Sequence, residues 1–577
     1  MPTISSLPCS RVIDATARPA RECTRSAEPW ILATTILASS MAFIDGTVVN
    51  VALPALQRSL GATLANDQWV IEAYELMLAA LLLVGGVAGD RFGRRRVFVL
   101  GVIIFTVAST ICGLSSGVVM LILARGLQGV GGALLIPGSL ALLSASFDKE
   151  KRGRAIGTWS GFTAITSAFG PVLGGFLIDH ASWRYAFFLN LPLAVVVVVL
   201  TFRFVPESRN ESSPKAIDWL GSVLAAVALG SIVYALIGSQ TVGWTDRWVL
   251  GALAIGFVTL PAFLLVEQHH PAPILPLALF RSSDFAGANL LTLLLYAALG
   301  GSLFFLPLNL IQVQGYSAAA AGGALLPFVL LMFVLSRWAG GLVERYGAKL
   351  PLVIGPTIAA CGFALFAVPY IGGSYWSTFF PAAVVLGLGM TLTVAPLTTT
   401  VMESVAPGAV GTASGVNNAI ASVAGLLAIA SLGMVMSGTF DSHLRRDLAA
   451  ANVTEVAADA VIAQHAKLAA IEPPGGASAD TRRAIHRAVD EAFVSGFRRV
   501  MLIAASLALA SAISAWVLIG GGLAGKEGAV VKSPVVKSRS TTTTAVKMHR
   551  ILPSFVTVRD QRDPSARCGA ATAPEGS

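Results

Sequence analysis

Residues 86–96 read Gly-Val-Ala-Gly-Asp-Arg-Phe-Gly-Arg-Arg-Arg, and residues 340–349 read Gly-Gly-Leu-Val-Glu-Arg-Tyr-Gly-Ala-Lys. The two stretches share one chemistry: an acidic residue, an arginine, an aromatic ring, a glycine and then basic side chains. Their offset is constant, since 344 − 90 and 347 − 93 are both 254. Each copy follows one long apolar run and precedes another. A loop between apolar runs that recurs about half a chain later suggests two related helical bundles with a substrate path between them. The offset leaves room for six helices in each bundle and two more between the bundles.

The rest of the chain fits that reading. Hydrophobic residues make up 55% of the 577 and charged residues 12%. Soluble domains carry about 25% charge, so this surface suits lipid rather than water. Lipid requires each spanning segment to satisfy its own backbone, which selects helices. A strand barrel would show short alternating segments. Runs of the length that crosses hydrocarbon fall near 31–54, 68–89, 97–116, 118–142, 154–178, 185–204, 218–238, 247–266, 285–310, 319–341, 351–371, 376–400, 408–436 and 499–522. The expected fold is an all-α polytopic membrane protein of about fourteen transmembrane helices, with two six-helix bundles and two extra central helices.

The expected organisation follows from these runs. Residues 1–29 read as a disordered cytoplasmic tail and 30–204 as the first bundle. Residues 205–280 hold the two linker helices, and 281–522 the second bundle. An external segment at 437–498, broken by Pro-Pro-Gly-Gly at 473–476, is expected to form short helices. Residues 523–577 read as a second disordered cytoplasmic tail. Basic residues cluster in alternate loops, at Arg91/Arg94/Arg95/Arg96, Lys149/Lys151/Arg152/Arg154, Arg203/Arg209/Lys215, Arg281 and Arg345/Lys349. By the positive-inside rule these loops face the cytoplasm, with both termini inside and the protein in the plasma membrane.

Several chemistries are excluded. The net charge of +9 resides in these short loop clusters and the tails, so it is no sign of nucleic-acid binding. Five scattered cysteines make neither a CxxC pair nor a metal-ligand spacing. Gly520 to Lys526 has the spacing of a phosphate loop, but Glu527 stands where Ser or Thr is required and no strand precedes it. No catalytic cluster is legible, so neither an enzyme nor a cofactor is expected.

The motifs carry a resemblance. Asp45-Gly-Thr-Val-Val-Asn-Val-Ala-Leu-Pro at 45–54, the loop at 86–96, and Arg-Gly-Leu-Gln-Gly-Val-Gly-Gly-Ala at 125–133 stand in order. They are followed by Gly161 with Gly-Pro-Val-Leu-Gly-Gly at 170–175, and Trp-Arg-Tyr-Ala-Phe-Phe-Leu-Asn-Leu-Pro at 183–192. This set resembles the major facilitator superfamily, and within it the fourteen-helix branch of drug:proton antiporters, over nearly all of 30–522. The second half departs from the pattern: Glu344 replaces the aspartate and Lys349 alone follows Gly347. The resemblance implies a proton-coupled exporter of small lipophilic, cationic compounds working by alternating access. A dedicated exporter of one natural product would use the same residues. A membrane sensor or enzyme is the reading from another class. Implied partners are a small-molecule substrate, protons and membrane lipid, with no nucleic acid and a monomeric state.

Four ionisable residues sit at similar depth in the apolar runs: Asp45, Glu72, Glu75 and Arg125. A charge at membrane depth costs about 2.5 kcal/mol or more, so it faces a cavity or a partner. Burial and a nearby arginine act on a carboxyl in opposite directions, which suits a group that takes up and releases a proton. A static Asp45–Arg125 ion pair is the plainer alternative. Gly86, Asp90, Arg91, Gly93, Arg94 and Arg95, with Glu344, Arg345 and Gly347 in the second copy, are candidates for a cytoplasmic gate. Asp90 can bind the positive end of a neighbouring helix, which the resemblance implies starts near Pro407 in the other bundle. Orientation in the membrane would account for the same basic residues. Gly161, Gly170, Pro171, Gly174 and Gly175 supply a small-residue face for close helix packing; the resemblance implies the contact on which the bundles rock. Phe43, Trp69, Tyr74, Phe162, Tyr296, Phe304 and Phe305 are candidate cavity aromatics for a lipophilic cation, against the plainer alternative of lipid-facing rings.

Overall fold

A computed structural model of the protein describes residues 21–209, 218–270, 273, 275–405 and 410–520. All regular structure among them is helical. The first bundle comprises α1 (Arg21–Leu60), α2 (Leu64–Phe92), α3 (Arg94–Leu114), α4 (Val118–Ser146), α5 (Lys149–His180), α6 (Trp183–Phe188) and α7 (Asn190–Phe204). Two linker helices follow, α8 (Trp219–Val242) and α9 (Arg247–His269). The second bundle comprises α10 (Ser283–Leu308), α11 (Ala318–Gly323), α12 (Leu326–Gly340), α13 (Leu342–Tyr346), α14 (Lys349–Phe366), α15 (Tyr375–Glu403), α16 (Val410–Ala450), α17 (Glu455–Ile462) and α18 (Ala479–Leu518).

Thirteen of these helical stretches are long and apolar enough to cross a membrane, and the bent α2 brings the number to fourteen. α2 turns by 51° between Leu82 and Val84. The short α6 and α7 together make one span, as do α11 and α12. Prolines lie inside α1, α4, α5, α9, α10, α14 and α15. Neighbouring helices and side-chain donors satisfy the freed backbone groups, which is why membrane helices tolerate them. Immediately after Pro307 the chain widens into a π turn at Asn309–Val313.

Within the first bundle α4 packs on α2 and α3, and α1 packs on α5 and α7. Within the second, α14 packs on α15 and α18, while α10 packs on α16 and α18. The linker helices pack on each other, and α8 also reaches α2 and α16. Phe98, Phe105, Leu135, Leu142 and Val197 form the buried heart of the first bundle. The second is filled by rings, among them Phe285, Phe305, Phe363 and Phe493.

Three departures from the sequence reading have physical causes. α1 begins at Arg21, inside the segment expected to be a tail, and Trp30 at its flank stacks on Phe204 at 5.1 Å. The segment 437–498 is not a set of short helices alone. α16 continues to Ala450 and α18 begins at Ala479, with α17 and a 3-10 turn at His465–Ala470 between them. Phe440, Leu444 and Leu448 keep one helical face apolar and buried, and Ile485, Val489 and Phe493 do the same on α18. These faces extend the core beyond the spans, because residues four apart lie on one side of a helix. Finally, Phe304 and Phe305 are buried against each other, with ring centroids 4.8 Å apart, in the core of the second bundle. Residues 521–577, which contain the expected C-terminal tail, lie outside the described residues.

Candidate functional site in the first bundle

α1, α4 and α7 meet at one buried polar knot. Asp45 is 2% exposed and Arg125 1%. Arg125 Nη1 donates to Asp45 Oδ2 at 2.5 Å and to Gln128 Oε1 at 2.8 Å. Gln128 Nε2 donates to Asp45 Oδ1 at 2.8 Å, and Asn190 Nδ2 reaches the same oxygen at 3.3 Å. Arg125 Nε donates to the Val70 carbonyl at 3.0 Å, a group of α2. The Tyr74 ring covers the guanidinium at 4.4 Å. Asn190 is steadied by Ser109 Oγ at 3.0 Å, and that hydroxyl donates to the Phe187 carbonyl. Both carboxylate oxygens of Asp45 and the Nε and Nη1 groups of Arg125 are therefore hydrogen-bonded, as buried charges require.

Arg125 and Gln128 can share the carboxylate because residues three apart lie on one helix face. Glycines let the helices approach. A side chain at Gly129 would strike the Tyr74 carbonyl of α2, and one at Gly131 the Phe105 backbone of α3. Gln128 and Asn190 belong to the motifs read from the sequence, but neither was singled out as a partner of Asp45. Their types suited the role; no spacing rule connects position 190 with position 45.

Glu72 and Glu75 part company. Glu72 is fully buried, and among the described residues neither carboxylate oxygen has a hydrogen-bond partner. Its helical neighbours Ala65, Trp69, Leu76 and Ala79 pack against Val233, Ile237, Leu426 and Ala430 of α8 and α16. Glu72 thus falls on the α2 face that meets the linker and the second bundle. Glu75 lies instead within the electrostatic reach of Arg125 and Asp45. A buried polar group without a partner costs about 1–3 kcal/mol. Glu72→Met is therefore expected to stabilise the folded protein by about that amount, read as a raised melting temperature in detergent. A lowered one would mean that Glu72 has a partner in the folded state.

The loop between α2 and α3 turns at Gly93, whose φ of +110° suits glycine. A side chain there would also meet the Glu207 carboxylate. Asp90 pairs with Arg94 at 2.7 Å. Arg94 N donates to the Ser208 carbonyl, Arg95 N to Glu207 Oε1 and Arg95 Nη1 to the Val205 carbonyl. The loop is thereby tied to the chain beyond α7 in its own bundle. Arg91 lies over the Phe92 ring at 5.2 Å, and Gly86 faces Pro137 of α4. In the second copy Gly347 has φ +74° and Arg345 lies over Tyr346. Pro407 and the Glu344 side chain lie outside the described residues.

At the opposite end of the molecule the bundles touch. Gln312 of the π turn donates to Gln57 Oε1 at 2.5 Å, and Gln57 Nε2 donates to the buried Asp67 at 2.5 Å. Gln68 Nε2 donates to the Ile429 carbonyl at 2.7 Å. Asp179 at the end of α5 accepts from Ala318 N at 3.0 Å and Ala319 N at 2.8 Å, capping α11 across the divide. The glycine motif lies beneath this cap. Gly170 and Gly174 face Thr47 and Val48 of α1, Gly175 faces the Ala318 backbone, and Gly322 faces the Pro171 carbonyl. Gly161 has open space around it. Gln57, Asp67, Asp179 and Gln312 were not singled out from the sequence.

The remaining aromatics are dispersed. Tyr74 is buried under Arg125, Phe162 is exposed, and Trp69 lies against Tyr234 at 6.3 Å. Phe43 and Tyr296 are partly buried.

The helix count, the two packed groups and the charged knot between α1 and α4 define a class, and comparison with known proteins specifies it. The chain matches the model of the Major Facilitator Superfamily over residues 35–429, and it belongs to that family. It is 33% identical over 491 residues to the tetracenomycin C resistance and export protein of Streptomyces glaucescens, covering 84% of this chain and 90% of that one. It is also 33% identical to the multidrug resistance protein Stp of Mycobacterium tuberculosis, over 82% of this chain and 89% of the other. Among solved structures, a bacterial homolog of the human lysosomal transporter Spinster, in an inward-facing and unoccupied conformation, shares the fold. Its TM-score is 0.57 at 18% identity, covering 85% of this chain and 98% of that one.

Proposed function

We propose that the protein exports small lipophilic, cationic drugs or toxins from the cell in exchange for protons, by alternating access between its two bundles. The observation that carries this reading is the buried Asp45–Arg125–Gln128–Asn190 knot in a chain one-third identical to resistance and export proteins. Asp45 is the proton-accepting group. Deprotonated, it is held by Arg125; protonated, it loses that attraction, and Arg125 is left to seek another anionic or polar partner. The bundles touch at the end that carries Gln57 and Asp179, which is the outer end if the arginine-rich loops lie inside. In that orientation both termini and the gate residues Asp90, Arg91, Arg94 and Arg95 face the cytoplasm of a plasma-membrane protein. Asp90 would leave Arg94 to latch the inner end when the outer end opens. No cofactor and no catalytic step is invoked.

The test is substrate uptake into inverted vesicles with and without an imposed pH gradient, over a panel of cationic, neutral and anionic lipophilic compounds. Gradient-dependent uptake of many cations is the expected result. Uptake of a single compound would instead favour a dedicated exporter, a reading to which the relative named for tetracenomycin C lends support. Uptake that ignores the gradient would overturn proton coupling.

A further inference from the structure

A recess of about 440 Å³ opens at the arginine-rich end of the first bundle, bounded by Arg91, Phe92, Arg96, Leu100, Leu134 and Arg209. It combines two surfaces. One is cationic: Arg91, Arg96 and Arg209 enter it. Described carboxylates also stand nearby. Glu207 lies 3.6 Å from Arg96 and also touches Arg95, while Asp90 is engaged by Arg94. The other surface is apolar and open. Phe92 is 52% exposed, and Leu100, Ile103 and Val107 are each about half exposed along one face of α3. Spacings of three and four place these three in a single stripe.

The level of the recess in the membrane follows from helix length. α3 has 21 residues, or roughly 31 Å of rise, which matches the hydrocarbon thickness of about 30 Å. Its first turn holds Arg94, Arg95 and Arg96, so Arg96 stands where hydrocarbon gives way to headgroups and the Leu100 stripe runs directly into the acyl region. A ligand that fits must be anionic at one end and long-chained at the other. Guanidinium groups suit phosphate through paired N–H donors, and basic pockets between membrane helices hold anionic lipid headgroups. The volume lies within the range of small-ligand sites.

We propose that this recess binds one anionic phospholipid, its phosphodiester held by Arg91, Arg96 and Arg209 and an acyl chain lying along Leu100, Ile103 and Val107. The lipid would compete with Glu207 for Arg96 and would sit directly beside the Asp90–Arg94 pair. Lipid occupancy would thereby bear on the same loop that is proposed to latch the inner end. The site needs only the fold and a bilayer, so it does not stand or fall with proton-coupled export.

The test uses the full-length protein purified in detergent, equilibrated with phosphatidylglycerol and phosphatidylcholine together, with bound lipids counted by native mass spectrometry. The expected result is one retained phosphatidylglycerol in preference to phosphatidylcholine. The Arg96→Gln/Arg209→Gln double variant is expected to weaken that retention about tenfold or more. Arg281→Gln/Lys349→Gln, which removes as much charge from the second bundle, should leave it unchanged. A second pair separates lipid from free anion: Leu100→Asn/Ile103→Asn should weaken retention, and inorganic phosphate should not displace the lipid. Equal loss in the two charge variants would reduce the effect to net charge and overturn the site. Retention unchanged in the Arg96/Arg209 variant, or displacement by inorganic phosphate, would overturn it as well.

Discussion

Arg125→Met is expected to destabilise the protein by about 3–5 kcal/mol, the usual consequence of removing one partner from a buried ion pair. The substitution keeps most of the side-chain volume, so packing contributes little. What it removes is specific. Asp45 loses its 2.5 Å partner, Gln128 Oε1 and the Val70 carbonyl lose donors, and the Tyr74 ring loses its cation. Asp45 would remain buried with Gln128 and Asn190 alone, amide donors that carry no charge. The Asp45→Asn/Arg125→Met double variant should recover much of the loss, because neither partner is then left charged. Melting of the two variants in detergent decides the matter. If Arg125→Met melts like the wild type, Asp45 is already neutral in the folded state and the knot is not an ion pair.

The second large effect is expected at the glycine motif. A valine at Gly175 would press its branched side chain into the Ala318 backbone, where α5 passes the start of α11. Overpacking of this kind costs about 1–3 kcal/mol, and here the cost is borne only when the bundles touch at that end. Gly175→Val is therefore expected to weaken the touching state relative to the separated one by about tenfold or more, without a comparable loss of folding stability. In reconstituted liposomes this reads as a proton leak in the absence of substrate. Gly161→Val supplies the control, since nothing lies near a side chain at Gly161. The control separates the members of a motif that the sequence treats alike. A leak as large from Gly161→Val, or none from Gly175→Val, would deny the close approach of α5 and α11 a role in closure.

The parts of the fold legible in the sequence are those written in local pattern. Apolar run length gave each span, and the repeat between Asp90 and Glu344 gave the pairing of bundles. Intramembrane charge gave Asp45 and Arg125, because so costly a residue has few bland explanations. What escaped was decided by contacts across long separations. Gln57 and Gln312 are 255 positions apart, and nothing in the composition around either marks it as a contact between bundles. Asp179 follows an apolar run and bears no motif; its role as a cap for α11 depends on how α5 meets the other bundle. The long α16 was obscured by Arg445, Arg446 and Asp447, whose charges suggested a loop although Phe440, Leu444 and Leu448 already carried the four-residue period. Phe304 shows the opposite limit: an aromatic ring in an apolar run reads the same whether it lines a cavity or fills a core.

Asp45 and Glu72 were both candidates for proton coupling, with the resemblance favouring Asp45, and their surroundings divide them. Asp45 accepts three hydrogen bonds, whereas Glu72 accepts none from the described residues. The first arrangement suits a group that is charged for part of a cycle and must be stabilised when it is. The second suits a neutral acid, or a group whose partner arrives with another conformation or with substrate. Asp45 is therefore the residue on which the account of coupling rests.

The decisive measurement is proton movement in liposomes containing the purified protein, followed by an internal pH reporter as a cationic lipophilic substrate is added across an imposed gradient, for the wild type and Asp45→Asn side by side. The account predicts substrate-dependent proton flux in the wild type and its disappearance in Asp45→Asn, with the variant still folded and still binding substrate. Undiminished substrate-dependent flux in Asp45→Asn would contradict it and pass the coupling role to another carboxyl group, with Glu72 the first to examine.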